Sequence, residues 1–153
     1  MINSLYPFIS PVEGDIKKEN EQLPTFYEVG WDFDREIPLI EDGDFKIVKE
    51  NEALKVWIWH CLKVNRFEHQ IYSWDFGNEL KSLIGKGYSV ELTKADAERY
   101  IREALGLIRD NEPSVLNPYI LGCNILDIQF NGYKLTIEIE VETIYEGGVV
   151  LNV

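Results

Sequence analysis

The sequence of 153 residues predicts an α+β domain in which a small, mostly antiparallel sheet with a C-terminal hairpin packs against about three helices. Three observations carry that expectation. Apolar residues recur at spacings of three and four over residues 54–62 and 97–108, the period of a helix with one buried face. Apolar and polar residues alternate on both sides of Asn131-Gly132, the mark of half-buried strands joined by a tight turn. Residues 27–49 break into short β-prone pieces separated by turn-forming residues.

Taken in order, residues 1–26 read as an irregular N-terminal arm, because Pro7, Pro11 and Pro24 and the polar run DIKKENEQ leave little to build a core from. Residues 27–153 then form one domain. Its first pieces, YEVGWDF, EIPLI and DFKIVK, are parted by Asp34 and by Glu41-Asp42-Gly43-Asp44, and Pro38 confines its strand to an edge. A first helix is expected from Asn51 as N-cap, with Glu52 in the first turn where it favours the helix dipole. Leu54, Trp57, Ile58, Cys61 and Leu62 share its core face, and His60 stands one step off it.

Residues 66–79, RFEHQIYSWDFGNE, are expected to run extended through Ile71-Tyr72-Ser73-Trp74 and to turn at Gly77. A short second helix follows through Leu80, Leu83 and Ile84 and closes at Gly85 and Gly87. Ile71 and Trp74 are assigned to the core, and Arg66 and Asp75 to hydrogen bonds that fix the turn. Thr93 with Asp96 three residues on is a variant capping box. It opens a third helix of about five turns, with Ala97, Tyr100, Ile101, Ala104, Leu105 and Ile108 inward and Pro113 as its stop.

At the end of the chain, Asn131-Gly132 as the centre of a type I′ turn predicts Phe130 opposite Tyr133, Ile128 opposite Leu135 and Leu126 opposite Ile137, all on one apolar face. Asp127, Gln129, Lys134, Thr136, Glu138, Glu140 and Glu142 take the other face, which is wet or meets a cationic partner. After Glu146-Gly147-Gly148 the segment Val149-Val150-Leu151-Asn152-Val153 is a β-prone terminus that pairs with the preceding strand or with a neighbouring subunit. Because the hairpin is complete by Tyr145, loss of residues 149–153 is expected to leave the helices folded.

Charge excludes whole classes of function. Twenty-seven acidic against fifteen basic residues give a net charge of −12, the wrong sign for phosphates or an anionic membrane, so neither nucleic acid nor membrane is an expected partner. Cys61 and Cys123 lie far apart without metal-type spacing and read as buried thiols of a reducing compartment. The start, MINSLYPFISPVEGD, has no cationic segment and its apolar residues are broken by Pro7 and Pro11, unlike a signal peptide. No apolar run reaches the roughly eighteen residues of a membrane span. A cytosolic protein is expected.

Catalytic readings are unspecific. Glu68, Asp75, Glu79 or Glu112 could be nominated as paired carboxylates for glycoside hydrolysis, but with 27 acidic residues such neighbours arise by chance. Ser73, His69 and Asp75 lack the nucleophile elbow that would present the serine. His60 beside Cys61 lacks further ligands nearby. No catalytic, cofactor-binding or metal site is assigned, and the protein reads as non-enzymatic.

The order of the whole set is more specific than any piece. Arg66-Phe67, Ile71-Tyr72-Ser73-Trp74, Gly77, Glu79-Leu80, Leu83-Ile84-Gly85, Ile101, Ala104-Leu105, Glu112-Pro113 and Thr143-Ile144-Tyr145 follow one another between short strands and a final strand. From about Tyr27 to Val153 this resembles the sheath-initiator, or baseplate wedge, proteins of contractile tails and tail-like bacteriocins, in particular the branch of Gram-positive prophage operons. The resemblance implies a structural protein made in the bacterial cytoplasm and carried in the baseplate of the phage or tail-like particle. Its implied partners are other baseplate wedge proteins, the sheath protein and tube or hub proteins, with copies in six-fold arrangement. A Glu-Pro-Arg triplet is associated in that family with holding the protein in the baseplate core; here Glu112 and Pro113 match and Ser114 replaces the arginine. The partner-binding residues expected are therefore Glu112 and Pro113, the acidic row Glu138, Glu140 and Glu142, and Val149, Val150, Leu151 and Val153 of the terminus. The alternatives are a cell-wall glycoside hydrolase of the same particle and an acidic soluble adaptor outside any tail.

Overall fold

A computed structural model describes residues 23–68, 71, 76–110, 112–113, 117–131 and 134–153. Strands β1 (Tyr27–Val29) and β6 (Ile47–Lys49) pair antiparallel as a stem. Two hairpins project from it: β2 (Trp31–Asp32) with β3 (Ile37–Pro38), and β4 (Ile40–Glu41) with β5 (Asp44–Phe45). The three arms meet in a ring of backbone hydrogen bonds. Gly30 N–H donates to the Lys46 carbonyl (2.7 Å), Leu39 N–H to the Gly30 carbonyl (2.8 Å) and Lys46 N–H to the Leu39 carbonyl (2.9 Å). Such a cloverleaf satisfies its backbone without a long strand, as the turn-rich text of this region requires.

The cloverleaf leads into helix α1 (Glu50–Lys63). The helix starts one residue before the expected cap, and no side chain caps it. Its Glu50 N–H donates instead to the Phe26 carbonyl (2.8 Å). Asn51 lies inside the first turn and reaches the far end of the chain, donating to the Glu146 carbonyl (2.8 Å) and accepting from the Thr143 hydroxyl. Ala53, Leu54, Val56, Ile58, Trp59, Cys61 and Leu62 are all buried. These residues surround most of the helix, because the cloverleaf packs on one side of it and the main cluster on the other. Trp57, expected in the core, is half-buried, whereas Trp59 is buried.

A single-turn 3-10 helix (Leu80–Leu83) stands where the second helix was expected, so the described residues hold two α-helices and this 3-10 turn. The turn before it is held by Gly77 and Asn78. Gly77 has φ +105°, and a Cβ there would stand 2.6 Å from the Val64 carbonyl oxygen, a conformation and an approach only glycine tolerates. Asn78, 3% exposed, shares its two side-chain N–H groups among the carbonyls of Cys61 (2.9 Å), Leu62 (2.7 Å) and Val64 (3.0 Å). Its side-chain oxygen accepts from Leu80 N–H (2.9 Å). One side chain thus satisfies the free carbonyls at the end of α1 and the first amide of the 3-10 turn. Ile71 is not a core residue: it is 82% exposed. Tyr72, Ser73, Trp74 and Asp75 lie outside the described residues.

Helix α2 (Val90–Ala104) is capped by Ser89, whose hydroxyl accepts from Leu92 N–H (3.3 Å). Thr93 is therefore not the cap. It is buried in the first turn and donates its hydroxyl to the Ser89 carbonyl (3.0 Å). The helix ends at Ala104, short of Pro113; Leu105 is its C-cap and Gly106 follows at φ +77°. Ile108 lies beyond it in the two-residue strand β7 (Ile108–Arg109), which pairs with β8 (Glu112–Pro113).

The main sheet has the order β11-β10-β9 and is antiparallel throughout, from β9 (Ile120–Asn131), β10 (Lys134–Thr143) and β11 (Val149–Asn152). Asn131 pairs with Lys134, so Phe130 faces Leu135 and Ile128 faces Ile137, two residues out of the expected register. A shift of two preserves which face each side chain takes. Beyond it the ladder breaks twice. Between Glu138 and Ile139 the partner jumps from Asp127 to Ile125, and between Glu142 and Thr143 it jumps from Gly122 to Ile120. Leu126 and Leu121 are the extra residues of these two bulges, and both are exposed, so Leu126 does not join the apolar face. Ile120, Cys123, Ile128, Ile137, Ile139, Val141, Val149 and Leu151 close the core against α1 and α2.

Strand β11 is a core strand of its own sheet. Val149 and Leu151 are 4% and 3% exposed, and burial of two such side chains is worth about 3–6 kcal/mol. That is a large part of the roughly 5–15 kcal/mol by which a domain is stable. Removal of residues 149–153 is therefore expected to unfold the domain rather than leave the helices folded, and circular dichroism of the truncated chain should show loss of the cooperative thermal transition. The turn at Gly77 gives a second outcome. Gly77→Val should cost about 1 kcal/mol or more, and Asn78→Leu about 1–3 kcal/mol through carbonyls left without donors. Urea midpoints equal to that of the parent chain would show that the end of α1 does not depend on this clamp.

Candidate assembly interface

The two edges of the main sheet differ in chemistry. Along β9 the bulges at Leu121 and Leu126 interrupt the ladder, and a bulged edge is a poor template for an incoming strand. Along β11 the ladder is regular. Ile137 and Val153 exchange both backbone hydrogen bonds, each 2.9 Å. By the alternation of antiparallel pairing, Leu151 and Val149 repeat that pattern against Ile139 and Val141. Val150 and Asn152 consequently turn their N–H and C=O groups away from β10. Among the described residues no further strand pairs with that edge.

Gly148 brings β11 back to this position. Its φ is +57°, and a Cβ would stand 2.9 Å from the Val141 carbonyl oxygen, so a side chain here would push the strand off its partner.

The outward face of the sheet is acidic. Glu138 lies between Asn152 on β11 and Asp127 on β9, Glu140 lies between Val150 and Asn124, and Glu142 lies opposite Gly122. Like charges placed directly across a ladder destabilise it, so the pair Glu138 and Asp127 lowers stability in the isolated chain and is relieved by a cation laid over the face. Val150 is exposed on this face, whereas Val149 and Leu151 point inward and Val153 is half-buried. Val149 and Leu151 therefore offer a partner neither a side chain nor free backbone groups, because these face the core and β10. Glu112 and Pro113 are exposed in a different sheet, with Glu112 opposite Arg109 and Pro113 opposite Ile108. Ser114 lies outside the described residues. Sequence reasoning missed Asn152, whose outward backbone groups only the hydrogen-bond parity reveals.

Of the nominated catalytic residues, Glu68, Glu79 and Glu112 are described. Glu68 accepts from Asn65 (3.0 Å) and lies 3.7 Å from Lys81. Glu79 lies 4.0 Å from Arg66, and His69, Ser73 and Asp75 fall outside the described residues. A cleft of about 640 Å³ is walled by Phe26, Trp57, Phe76 and Tyr119 and holds Arg66 and Arg99. Glu79 and Glu103 in it are each beside an arginine, with Arg99 donating to Glu103 at 3.1 Å, whereas a general acid of a glycosidase sits in apolar surroundings.

Burial pushes the Cys61 thiol up to about 11, and Cys61 donates to the Ala104 carbonyl (3.3 Å). Burial likewise pushes Cys123 up to about 11, so both are inert thiols at neutral pH. Burial lowers the His60 pKa, and the ring packs edge-on to Trp31 at 4.5 Å and Trp59 at 5.2 Å. Among the described residues no group of three or more His, Cys, Asp or Glu side chains could hold a metal ion, and no helix is long and apolar enough to cross a membrane.

Comparison with known proteins shows the family. No curated protein matches the chain. A family model described as contractile injection system sheath initiator matches residues 27–146, which takes in the cloverleaf, both helices, the 3-10 turn and the long hairpin of the main sheet. The chain belongs to the contractile injection system sheath initiator family.

Proposed function

We propose that the protein is a non-enzymatic part of the baseplate wedge and templates the first sheath ring by strand addition to β11. One observation carries the reading: β11 is regular and, among the described residues, unpaired on its outer side, next to a face bearing Glu138, Glu140 and Glu142. In β-augmentation the main-chain groups of the edge supply affinity and alternating side chains choose the partner. Here Val150 and Asn152 supply the groups, and the glutamates select an arm carrying lysine or arginine. A second acidic strand laid over the same face would be repelled.

The sheath protein provides that arm. Other wedge proteins hold the domain in the baseplate, with Glu112 and Pro113 among the contacts, and tube or hub proteins lie nearby. Copies follow the six-fold symmetry of the tail, and assembly takes place in the bacterial cytoplasm. Glu112 lies opposite Arg109 in the register of its ribbon, and Ser114 stands where the family has arginine.

Val150→Pro tests the edge directly. Proline removes the outward N–H of Val150 and leaves the bonds of β11 to β10 intact, since residue 150 makes none of them. The variant should melt within about 2 °C of the parent, as an exposed edge position allows, and should yield baseplates and tubes without ordered sheath in electron micrographs. Normally sheathed tails would remove β11 as the template. For the absence of catalysis, purified protein should not clear peptidoglycan between about pH 4 and 8, the range in which paired carboxylates operate. Clearing that is abolished by Glu68→Gln or Glu112→Gln in a folded chain would restore the hydrolase reading.

A further inference from the structure

The hairpin β4–β5 is an unusual structure to find exposed. Ile40 lies directly opposite Phe45, and Glu41 opposite Asp44, across a two-residue Asp42-Gly43 turn. Every residue from 40 to 47 is exposed, so the hairpin projects with both faces in solvent. Ile40 is 67% and Phe45 55% exposed, and Ile47, two residues along from Phe45, and Tyr27 on the stem are exposed as well. A two-stranded hairpin without a core beneath it is marginal in water. A contiguous exposed apolar surface marks an interaction site.

The charges around that surface say what it meets. The tip carries Glu41, Asp42 and Asp44, and within the hairpin only Lys46 answers them, 3.9 Å from Glu41. Asp44 is turned back to its own strand, accepting from Phe45 N–H at 2.7 Å. A second copy of a chain with net charge −12 would be repelled at such a tip.

We propose that hairpin 40–47 is a docking finger for a different protein of the particle. Ile40 and Phe45 enter an apolar groove of that protein, and lysine or arginine side chains on the groove's rim meet Glu41, Asp42 and Asp44. The finger goes beyond strand addition at β11 and uses another surface. It would stand even if the sheath were templated elsewhere. The cloverleaf ring of Gly30, Leu39 and Lys46 fixes the finger's root on the stem, so the contact is directed by the backbone rather than by a flexible loop.

The test uses the full chain in assembled tails. With a photo-crosslinking phenylalanine analogue at position 45, irradiation should join this chain to one other protein of the particle, through a peptide in which apolar residues flank lysine or arginine. The yield should fall at least fivefold in Asp42→Asn/Asp44→Asn. Ile40→Ser/Phe45→Ser should keep the parent's melting curve, because neither side chain is in the core, and should lower incorporation into tails at least tenfold. An adduct with a second copy of this chain, an adduct peptide lacking basic residues, or full incorporation of the double-serine variant would each overturn the proposal. Failure of Val150→Pro to disturb the sheath, with the finger variants still excluded from tails, would count against the β11 reading alone.

Discussion

The structure depends on how one buried asparagine ends a helix. The final turn of α1 presents carbonyls with no intrahelical donor, and two of them belong to the buried residues Cys61 and Leu62. Asn78 supplies the donors from its side chain, and its backbone N–H donates to the Val64 carbonyl (3.0 Å) while its carbonyl accepts from Arg66 N–H (2.9 Å). Residues 64–66 and 77–78 are thereby joined across the segment between them. Gly77 is forced by the same contact, since the backbone must pass against Val64 to deliver Asn78. The stretch RFEHQIYSWDFGNE, with its acids, histidine and aromatics, thus ends in a structural clamp.

With its end secured, α1 becomes the shared wall of two clusters. Val48, Ala53 and Val56 form one with the cloverleaf, and Leu54, Ile58, Cys61 and Leu62 belong to the other with α2 and the sheet. Both thiols and much of the aromatic surface are consumed in that packing: Trp31 and Phe33 lean on Trp59 at ring distances of 5.7 and 5.8 Å, and Phe26 meets Tyr119 edge-on at 5.0 Å. The Tyr145 hydroxyl accepts from Phe26 N–H (3.0 Å), and the Tyr119 hydroxyl donates to the Pro24 carbonyl (2.9 Å). These aromatic residues pack the core and position backbone.

Periodicity made the fold class, the existence of α1 and α2 and the final hairpin legible, because each rests on a repeating pattern of burial. Features set by a single contact were not. The cap of α2 lies at Ser89, four residues before Thr93, since both residue types accept from helix amides and only the path of the chain chooses between them. Pro113 looked like a helix stop, but α2 had already ended at Leu105-Gly106, where the loop must turn to send Ile108 into β7. The shift of register by two kept Ile128, Phe130, Leu135 and Ile137 on the expected face, whereas no local signal marks the bulges at Leu121 and Leu126, the second of which takes Leu126 off that face. At the interface, the acidic row was readable from alternation. The inward direction of Val149 and Leu151 and the outward groups of Asn152 follow from pairing alone.

Those bulges and the core role of β11 bear together on how a small sheet can be open to one neighbour and closed to another. Two extra residues on β9 spoil that edge, and they also place Leu121 and Leu126 outside the apolar face, so the cost of exposing two leucines buys an edge that does not pair. At the opposite edge, inward Val149 and Leu151 hold β11 rigid, and its outward backbone groups are presented at fixed spacing rather than by a loose terminus. Rigidity matters because an edge that is already ordered loses less entropy when a strand is added. Polarity matters equally: a sheet with two open edges would extend in both directions, whereas a sheet with one accepts a single arm and stops. The same inward residues that tie β11 to the core are therefore what would suit it to the one-sided template proposed for it.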